Sequence, residues 1–200
     1  MAEPFVRRAL REPAQIRLLS SAVRQEIVDT LAALGGEASV AAMAEHLGRP
    51  ADGLYYHLRA LLDGGLVEEV PASEDERRYR LAGEGDGPIR LAYDLGAEGN
   101  RRELGAFARA LLQIAAEDFE AALAAPGAVT EGPARELWVS RNKGWLSTDD
   151  LEEASRLLER LSELSSQPKG PGRERLMSFA FALAPLSPRP RRRGKAGRPD

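Results

Sequence analysis

The sequence predicts an α+β protein that is mainly helical and contains a small amount of β structure. Three observations indicate this class. Residues 13–65 carry apolar side chains at helical spacing, broken by glycines. Residues 66–81 alternate apolar and polar side chains on both sides of an acidic loop, as a pair of strands does. Residues 89–186 combine two long amphipathic patterns with short alternating stretches. The expected units are an N-terminal domain, a C-terminal domain and a tail, at residues 1–82, 83–186 and 187–200.

Composition excludes several classes of protein. A hydrophobic content of 43% in 200 residues is enough for a packed core. The absence of cysteine excludes disulfides, thiol catalysis and cysteine-ligated zinc. No apolar run approaches the roughly 18 residues that span a bilayer, and the N-terminus lacks the apolar run of a signal peptide. We therefore expect no membrane contact and a cytoplasmic location.

The N-terminal domain begins with two predicted helices. A lead over residues 3–12 precedes a short helix, and Ser20 or Ser21 is expected to cap the next one. The pair Gly35-Gly36 ends it. Its first turn holds Arg24. Its buried stripe consists of Val23, Ile27, Leu31 and Leu34.

Two further helices follow with a tight turn between them. Ser39 is a good N-cap because its hydroxyl can accept from an unpaired amide of the first turn. Gly48 suits a left-handed cap, and Pro50 suits the first turn of the next helix. This last helix is predicted over residues 51–63, and glycines at 64 and 65 end it.

The helix at 51–63 has two contrasting faces at about 100° per residue. The apolar face carries Leu54, Leu58 and Leu61. The opposite face carries Asp52, Tyr56 and Arg59. Between them Gly53 leaves a spot without a side chain, where a backbone can approach closely.

Two alternating stretches, LVEEV and RRYRL, then predict strands around a loop at 71–76. A helix, a turn, a second helix and a strand pair in this order form a winged helix-turn-helix. In that fold the N-terminal part of the second helix enters the DNA major groove. From the wing, Arg77, Arg78 and Arg80 can neutralise phosphates or reach a minor groove. Arg77 and Arg80 are expected to alternate with Arg78 along the strand, so the three cannot all face the duplex.

Residues 13–82 also resemble a known family. The stretches QEIVDTLAALGG, SVAAMAEHLG, LYYHLRALLDGGLVEE and ERRYRL look like those of ArsR-type winged-helix regulators of bacteria. The resemblance implies DNA binding, and at the place of Arg24 an arginine is common. Either a phosphate contact or an intradomain ion pair fits that residue. Metal-sensing members use cysteine or histidine clusters, whereas this chain has only His46 and His57. The resemblance therefore implies no metal site.

The candidate DNA-binding residues are Arg24, Asp52, Gly53, Tyr55, Tyr56, Arg59, Arg77 and Arg78. Several have a second interpretation. Asp52 can accept from a cytosine amino group or cap the helix N-terminus. Tyr55 neighbours Tyr56 and cannot share its face, so it can pack at the domain edge instead. His57 is expected to be half-buried and hydrogen-bonded.

Charge is unevenly distributed along the chain. Residues 1–82 carry a net −3, residues 83–186 a net −5 and residues 187–200 a net +5. An acidic DNA-binding domain is unusual, because phosphate neutralisation supplies most non-specific affinity. This leaves a second hypothesis, a winged helix that docks proteins and does not bind DNA. The tail is too polar to fold and is either a solubilising terminus or a basic arm on DNA.

The C-terminal domain is predicted as β-α-β-α-β. Its elements are a strand near residue 90, a helix capped by Asn100, an extended segment at 136–146, a helix with a Ser147/Asp150 capping box, and a strand at 177–183. Such a domain is expected to form a homodimer, since a two-fold axis presents two recognition helices to DNA half-sites. Its aromatic side chains either form its core or line a site for a small apolar effector: Phe107, Phe119, Trp138, Trp145, Phe179 and Phe181.

Catalytic motifs are not found in the sequence. It has no P-loop, no HExxH helix and no obvious Ser-His-Asp arrangement. The sequence therefore predicts a non-enzymatic regulator without a cofactor, whose partner is double-stranded DNA.

Overall fold

A computed structural model describes residues 9–71, 76–83, 90–96 and 99–187. The tip of the predicted wing and the tail from residue 188 onward lie outside these ranges. The elements, in chain order, are β1 (Ala9–Leu10), α1 (Pro13–Leu18), α2 (Ala22–Ala33), β2 (Glu37–Ser39), α3 (Val40–Leu47), α4 (Ala51–Asp63), β3 (Val67–Val70), β4 (Arg78–Leu81), β5 (Arg90–Leu91), α5 (Asn100–Ala124) and α6 (Thr148–Ser165).

The wing belongs to a three-stranded antiparallel sheet in the order β2-β4-β3. Residue 79 of the central strand β4 lies opposite Ala38 of β2 and Glu69 of β3. Tyr79 and Leu81 point into the core, as alternation along a strand requires. Strand β2 was not predicted, because it has three residues, the last of which is the helix cap Ser39, and so short a stretch shows no period.

The core lies between this sheet and helices α1 to α4, with the first turns of α5 added. Leucines of α4 on the predicted apolar face are fully buried. Complete burial of a leucine side chain contributes about 1.5–3 kcal/mol, so these positions anchor α4 against α2 and α3. The fully buried apolar residues are Leu10, Ile16, Ile27, Leu31, Met43, Leu54, Leu58, Leu61, Leu66 and Val67.

Residues after the wing return to this same core. Strand β5 pairs in parallel with β1, Leu91 lying opposite Leu10. The first turns of α5 then pack on α1 and α2, where Leu104 is buried. Beside it the buried Glu103 carboxylate bonds to the guanidinium groups of Arg102 at 2.8 Å and of Arg17 at 3.1 Å.

The cap of α5 differs from the prediction. Asn100 is the first residue of the helix, and Gly99 occupies the N-cap position with φ 78°. The Asn100 side chain is buried and donates from Nδ2 to the carbonyl of Asp94 at 2.6 Å. It therefore holds the preceding loop against the helix and does not cap the helix amides.

Beyond Leu104 no described residue up to 187 is buried. The capping box of α6 is confirmed, since Ser147 accepts from the Asp150 amide at 3.1 Å and the Asp150 carboxylate accepts from the Ser147 amide at 2.9 Å. The expected strand at 177–183 is not formed: this segment has no strand partner in the described residues, and neither has 136–146. The α+β class and the N-terminal helix-turn-helix are confirmed.

Candidate nucleic-acid interface

Local sequence fixes the two helices of the helix-turn-helix. Ser39 accepts from the Ala42 amide at 3.2 Å at the start of α3. Gly48 ends that helix with φ 59°, a left-handed conformation that costs other residues free energy. Pro50 then lies at the N-cap of α4, with its φ of −60° preset by the ring. The backbone conformations of these two residues therefore set the direction of α4 relative to α3.

The outer face of α4 has the predicted composition. Asp52, Gly53 and Arg59 are exposed, and Tyr56 is 76% exposed. An apolar phenol ring left this exposed has no role in the core. At about 1.5 Å per residue the helix is about 20 Å long, and the major groove is wide enough to admit it. This face is the centre of the candidate interface.

Tyr55 and Arg77 join the recognition helix to the wing. The Arg77 guanidinium carbon lies 5.9 Å from the centre of the Tyr55 ring, within the range of a cation-π contact. Among the described residues Arg77 has no carboxylate partner. Tyr55 is exposed at the edge of the domain and holds this cation beside α4. This position fits the interpretation that Tyr55 packs at the domain edge, and its contact with DNA stays a prediction.

The other wing arginines are held by glutamates. Arg78 donates from Nε to Glu37 at 2.9 Å, and a second carboxylate, Glu76, lies at 3.7 Å. Arg80 donates from Nη2 to Glu68 at 2.8 Å. Because Tyr79 between them points inward, Arg78 and Arg80 share the outer face of the sheet. The expectation that alternation separates these two arginines is wrong, since they are two residues apart.

Arg59 also has an acidic partner, Asp63, one turn later on α4. Its Nε donates to the two carboxylate oxygens at 3.1 and 3.3 Å, and both side chains are largely exposed. Exposed pairs at this spacing are worth about 0.3–0.5 kcal/mol. The pair is therefore weak enough to exchange the carboxylate for a phosphate.

A second cluster of cations lies behind the helix-turn-helix turn. Arg24 is half-buried and donates from Nε to the Leu18 carbonyl at 2.6 Å. It forms no ion pair with a described carboxylate, and its phosphate contact stays a prediction. Arg49, in the turn itself, bonds to Glu26 at 3.1 Å. Arg49 was not among the residues proposed from the sequence. Its position in the turn between the two helices of a helix-turn-helix could have indicated it as a candidate contact.

His57 lies close to these two cations. Burial, Arg24 and Arg49, in that order, lower the pKa of His57, so the imidazole is neutral at pH 7. Its ring meets that of Tyr56 edge-on at 5.3 Å between centroids. Its Nδ1 is buried without a hydrogen-bond partner in the described part of the chain, contrary to the expectation of a bonded histidine. No group of three or more His, Asp or Glu side chains in the described residues is arranged to hold a metal ion.

The predicted effector-site aromatics are dispersed. Phe107 packs on the N-terminal core, whereas Trp145 is fully exposed. Trp138 lies beneath the Arg135 guanidinium, 3.4 Å from the ring centre. These side chains therefore do not enclose one pocket within the described residues.

Residues 19–70, about a quarter of the chain, match a protein-family model described as a helix-turn-helix domain. The match begins before α2 and runs through α3, α4 and β3. It points to a DNA-binding regulator and away from an enzyme. No curated protein matches the sequence. No helix in the described ranges is long and apolar enough to cross a membrane.

Proposed function

We propose that this protein is a sequence-specific transcriptional regulator of the ArsR-like winged-helix type, acting as a homodimer. Each protomer places α4 in the major groove and the wing at 71–78 on the flanking backbone. The observation that carries the proposal is the outer face of α4. It exposes Tyr56 and Arg59 on a helix whose opposite side is fully buried, within a matched helix-turn-helix.

The groups on this face divide into two roles. Asp52 and Tyr56 lie near the N-terminal part of α4, which reaches base edges in this class of fold, and a carboxylate can accept from a cytosine amino group. Gly53 adds no side chain, and nothing lies within 4 Å of the position that a Cβ would take. The backbone of α4 can therefore approach the groove floor closely.

The arginines supply phosphate contacts around that helix. Arg77 lies against an aromatic ring, and among the described residues no carboxylate has to leave it before it contacts a phosphate. Arg24 bonds to a carbonyl, and no carboxylate among the described residues compensates its charge. Arg59 and Arg78 must first leave Asp63 and Glu37. We therefore expect modest non-specific affinity and a strong dependence on salt.

The internal ion pairs favour one alternative, a winged helix that docks a protein and does not bind DNA. Arg49, Arg59, Arg78 and Arg80 are each neutralised by a carboxylate of the same domain. A surface balanced in this way attracts polyanions weakly. The two functions differ in one measurement.

That measurement is a fluorescence-anisotropy titration against DNA from upstream of the gene and against a scrambled duplex, across a salt series. A regulator binds the upstream DNA preferentially, and Tyr56→Ala lowers this preference. The matched control is Tyr93→Ala, since Tyr93 is also 76% exposed but lies outside α4 and the wing. No binding to either duplex at low salt would favour the protein-docking alternative.

A further inference from the structure

Two segments of the C-terminal half have backbones that pair with no other described part of the chain. Residues 137–146 and 174–187 form no backbone-backbone hydrogen bond with any described residue. Neither belongs to a helix or a strand. Long runs of such amides and carbonyls are usual only where water or another strand satisfies them. Both segments carry large apolar side chains, so pairing with another strand would bury apolar surface that water leaves exposed.

Residues 176–183 have the side-chain pattern of a strand with one buried face. Large apolar side chains alternate with Ser178, Ala180 and Ala182. The large ones are 39%, 50%, 45% and 56% exposed at Met177, Phe179, Phe181 and Leu183. Aromatic residues in strict alternation favour a pleated, half-buried strand. This sequence therefore specifies a strand for which the described part of the chain offers no partner.

Residues 137–146 have the same mismatch between composition and surroundings. Trp138, Val139 and Trp145 are exposed, although tryptophan and valine favour strands and buried positions. Exposed apolar residues in one contiguous region are typical of an interaction surface, whereas isolated ones are ordinary. Both segments thus present unpaired backbone together with apolar side chains.

The two segments lie near each other but do not pair. The carboxylate of Glu136 is bonded to the guanidinium of Arg175, which brings the beginnings of the two segments together. Helix α6 connects them, so the order strand-helix-strand would place them in parallel within one sheet. No backbone bond joins them, which leaves their donors and acceptors available to another chain.

The two segments are long enough for a stable interface. A standard interface takes about 20–30 residues from each partner. Residues 137–146 and 174–187 together supply 24 residues, which are exposed apart from the half-buried Leu137.

We propose that residues 137–146 and 176–183 pair with the same two segments of a second copy of this chain, forming an intermolecular β-sheet. The side chains of Phe179 and Phe181 lie on its buried face. A second copy is the fitting occupant because each chain carries both segments, so one two-fold axis satisfies all four at once. The inference rests on the proposed homodimeric regulator and names its interface.

The test combines analytical ultracentrifugation with hydrogen exchange of the full-length protein, in the absence of DNA. We expect a dimer that dissociates on dilution. Amides of 137–146 and 176–183 exchange slowly at dimer concentrations and fast in the monomer. A monomer at all concentrations would overturn the proposal. A dimer in which these amides exchange fast would also overturn it. Equal protection of these amides in monomer and dimer would overturn it too, because it would indicate pairing within one chain.

A pair of neighbouring substitutions tests which face of the strand is buried. Phe179→Asp shifts the protein to monomer, whereas Ala180→Asp, with the same added charge on the opposite face, leaves the dimer intact. Slow exchange of α2 and α4 in both variants shows that the helix-turn-helix is folded. If Ala180→Asp also dissociated the dimer, the assigned face would be wrong. None of these measurements involves DNA. The interface proposal can therefore fail while the DNA titration supports the regulator, and the regulator can fail while the interface proposal holds.

Discussion

The ion pair between Arg59 and Asp63 makes a quantitative prediction about DNA binding. If Arg59 neutralises one phosphate, Arg59→Ala lowers the salt slope by about 0.9. Between 50 and 200 mM salt each phosphate contact loses about 3.5-fold in affinity. The affinity advantage of the wild type over Arg59→Ala should therefore shrink about 3.5-fold across that range.

Asp63→Asn should have the opposite effect. In the free protein Asp63 holds the Arg59 guanidinium at 3.1 Å, and this exposed pair is worth about 0.3–0.5 kcal/mol. DNA must break it, so removing the carboxylate strengthens binding by about twofold. The substitution also removes a negative charge from beside the phosphate.

Helix α6 provides a matched control. Arg160 and Glu163 form an ion pair at the same 3.1 Å, with similarly exposed side chains, outside the candidate interface. Arg160→Ala and Glu163→Gln should leave both affinity and salt slope unchanged. All four variants are measured by anisotropy titration at several salt concentrations. An unchanged slope for Arg59→Ala, or weaker binding for Asp63→Asn, would refute the assignment of this face to DNA.

Two further predictions concern glycines and a buried carboxylate. Gly48→Ala lowers the free energy of unfolding, measured in urea, by about 1 kcal/mol, because φ at this position is 59°. Gly53→Ala raises the free energy of unfolding by about 0.5–1 kcal/mol, because the position is helical and open. The same Gly53→Ala substitution weakens DNA binding. Hydrogen bonds from Arg102 and then Arg17 lower the pKa of Glu103 below its usual 4.5. The stability that Glu103 adds is thus complete above pH 4.5 and is lost as pH falls through the folded-state pKa. The difference in unfolding free energy between wild type and Glu103→Gln should therefore shrink as pH falls. A difference that does not change with pH would contradict the Glu103 prediction. Equal stability of Gly48→Ala and Gly53→Ala would contradict the glycine prediction.

The ion pairs explain how an acidic domain can carry a DNA-binding face. Two of its carboxylates, Glu26 and Glu68, lie against arginines of this domain. They bond directly to Arg49 and Arg80. Binding therefore has to exchange partners, which makes affinity depend on salt and on the fit of the duplex. A surface of this kind discriminates against DNA to which it cannot fit closely.

Sequence alone determined the helix-turn-helix and the orientation of its second helix. The spacing of Leu54, Leu58 and Leu61 fixes which side of α4 is buried, because the period of a helix is a local property of the chain. For the same reason Ser39 and Gly48 could be recognised as caps, and Tyr56 and Arg59 as the outer face. Each of these features depends on residues no more than a few positions apart.

Only the tertiary structure decided the partners of the charged groups and the fate of the C-terminal segments. Glu26 lies 23 residues before Arg49, and Glu37 lies 41 residues before Arg78. No sequence period reports such pairs, because long charged side chains choose their partners only after the helices and strands have packed. The strand pattern at 176–183 is equally local, but pairing requires a neighbouring strand. No such neighbour lies beside it in the ranges that the structure describes, and a strand forms only with a hydrogen-bonded partner.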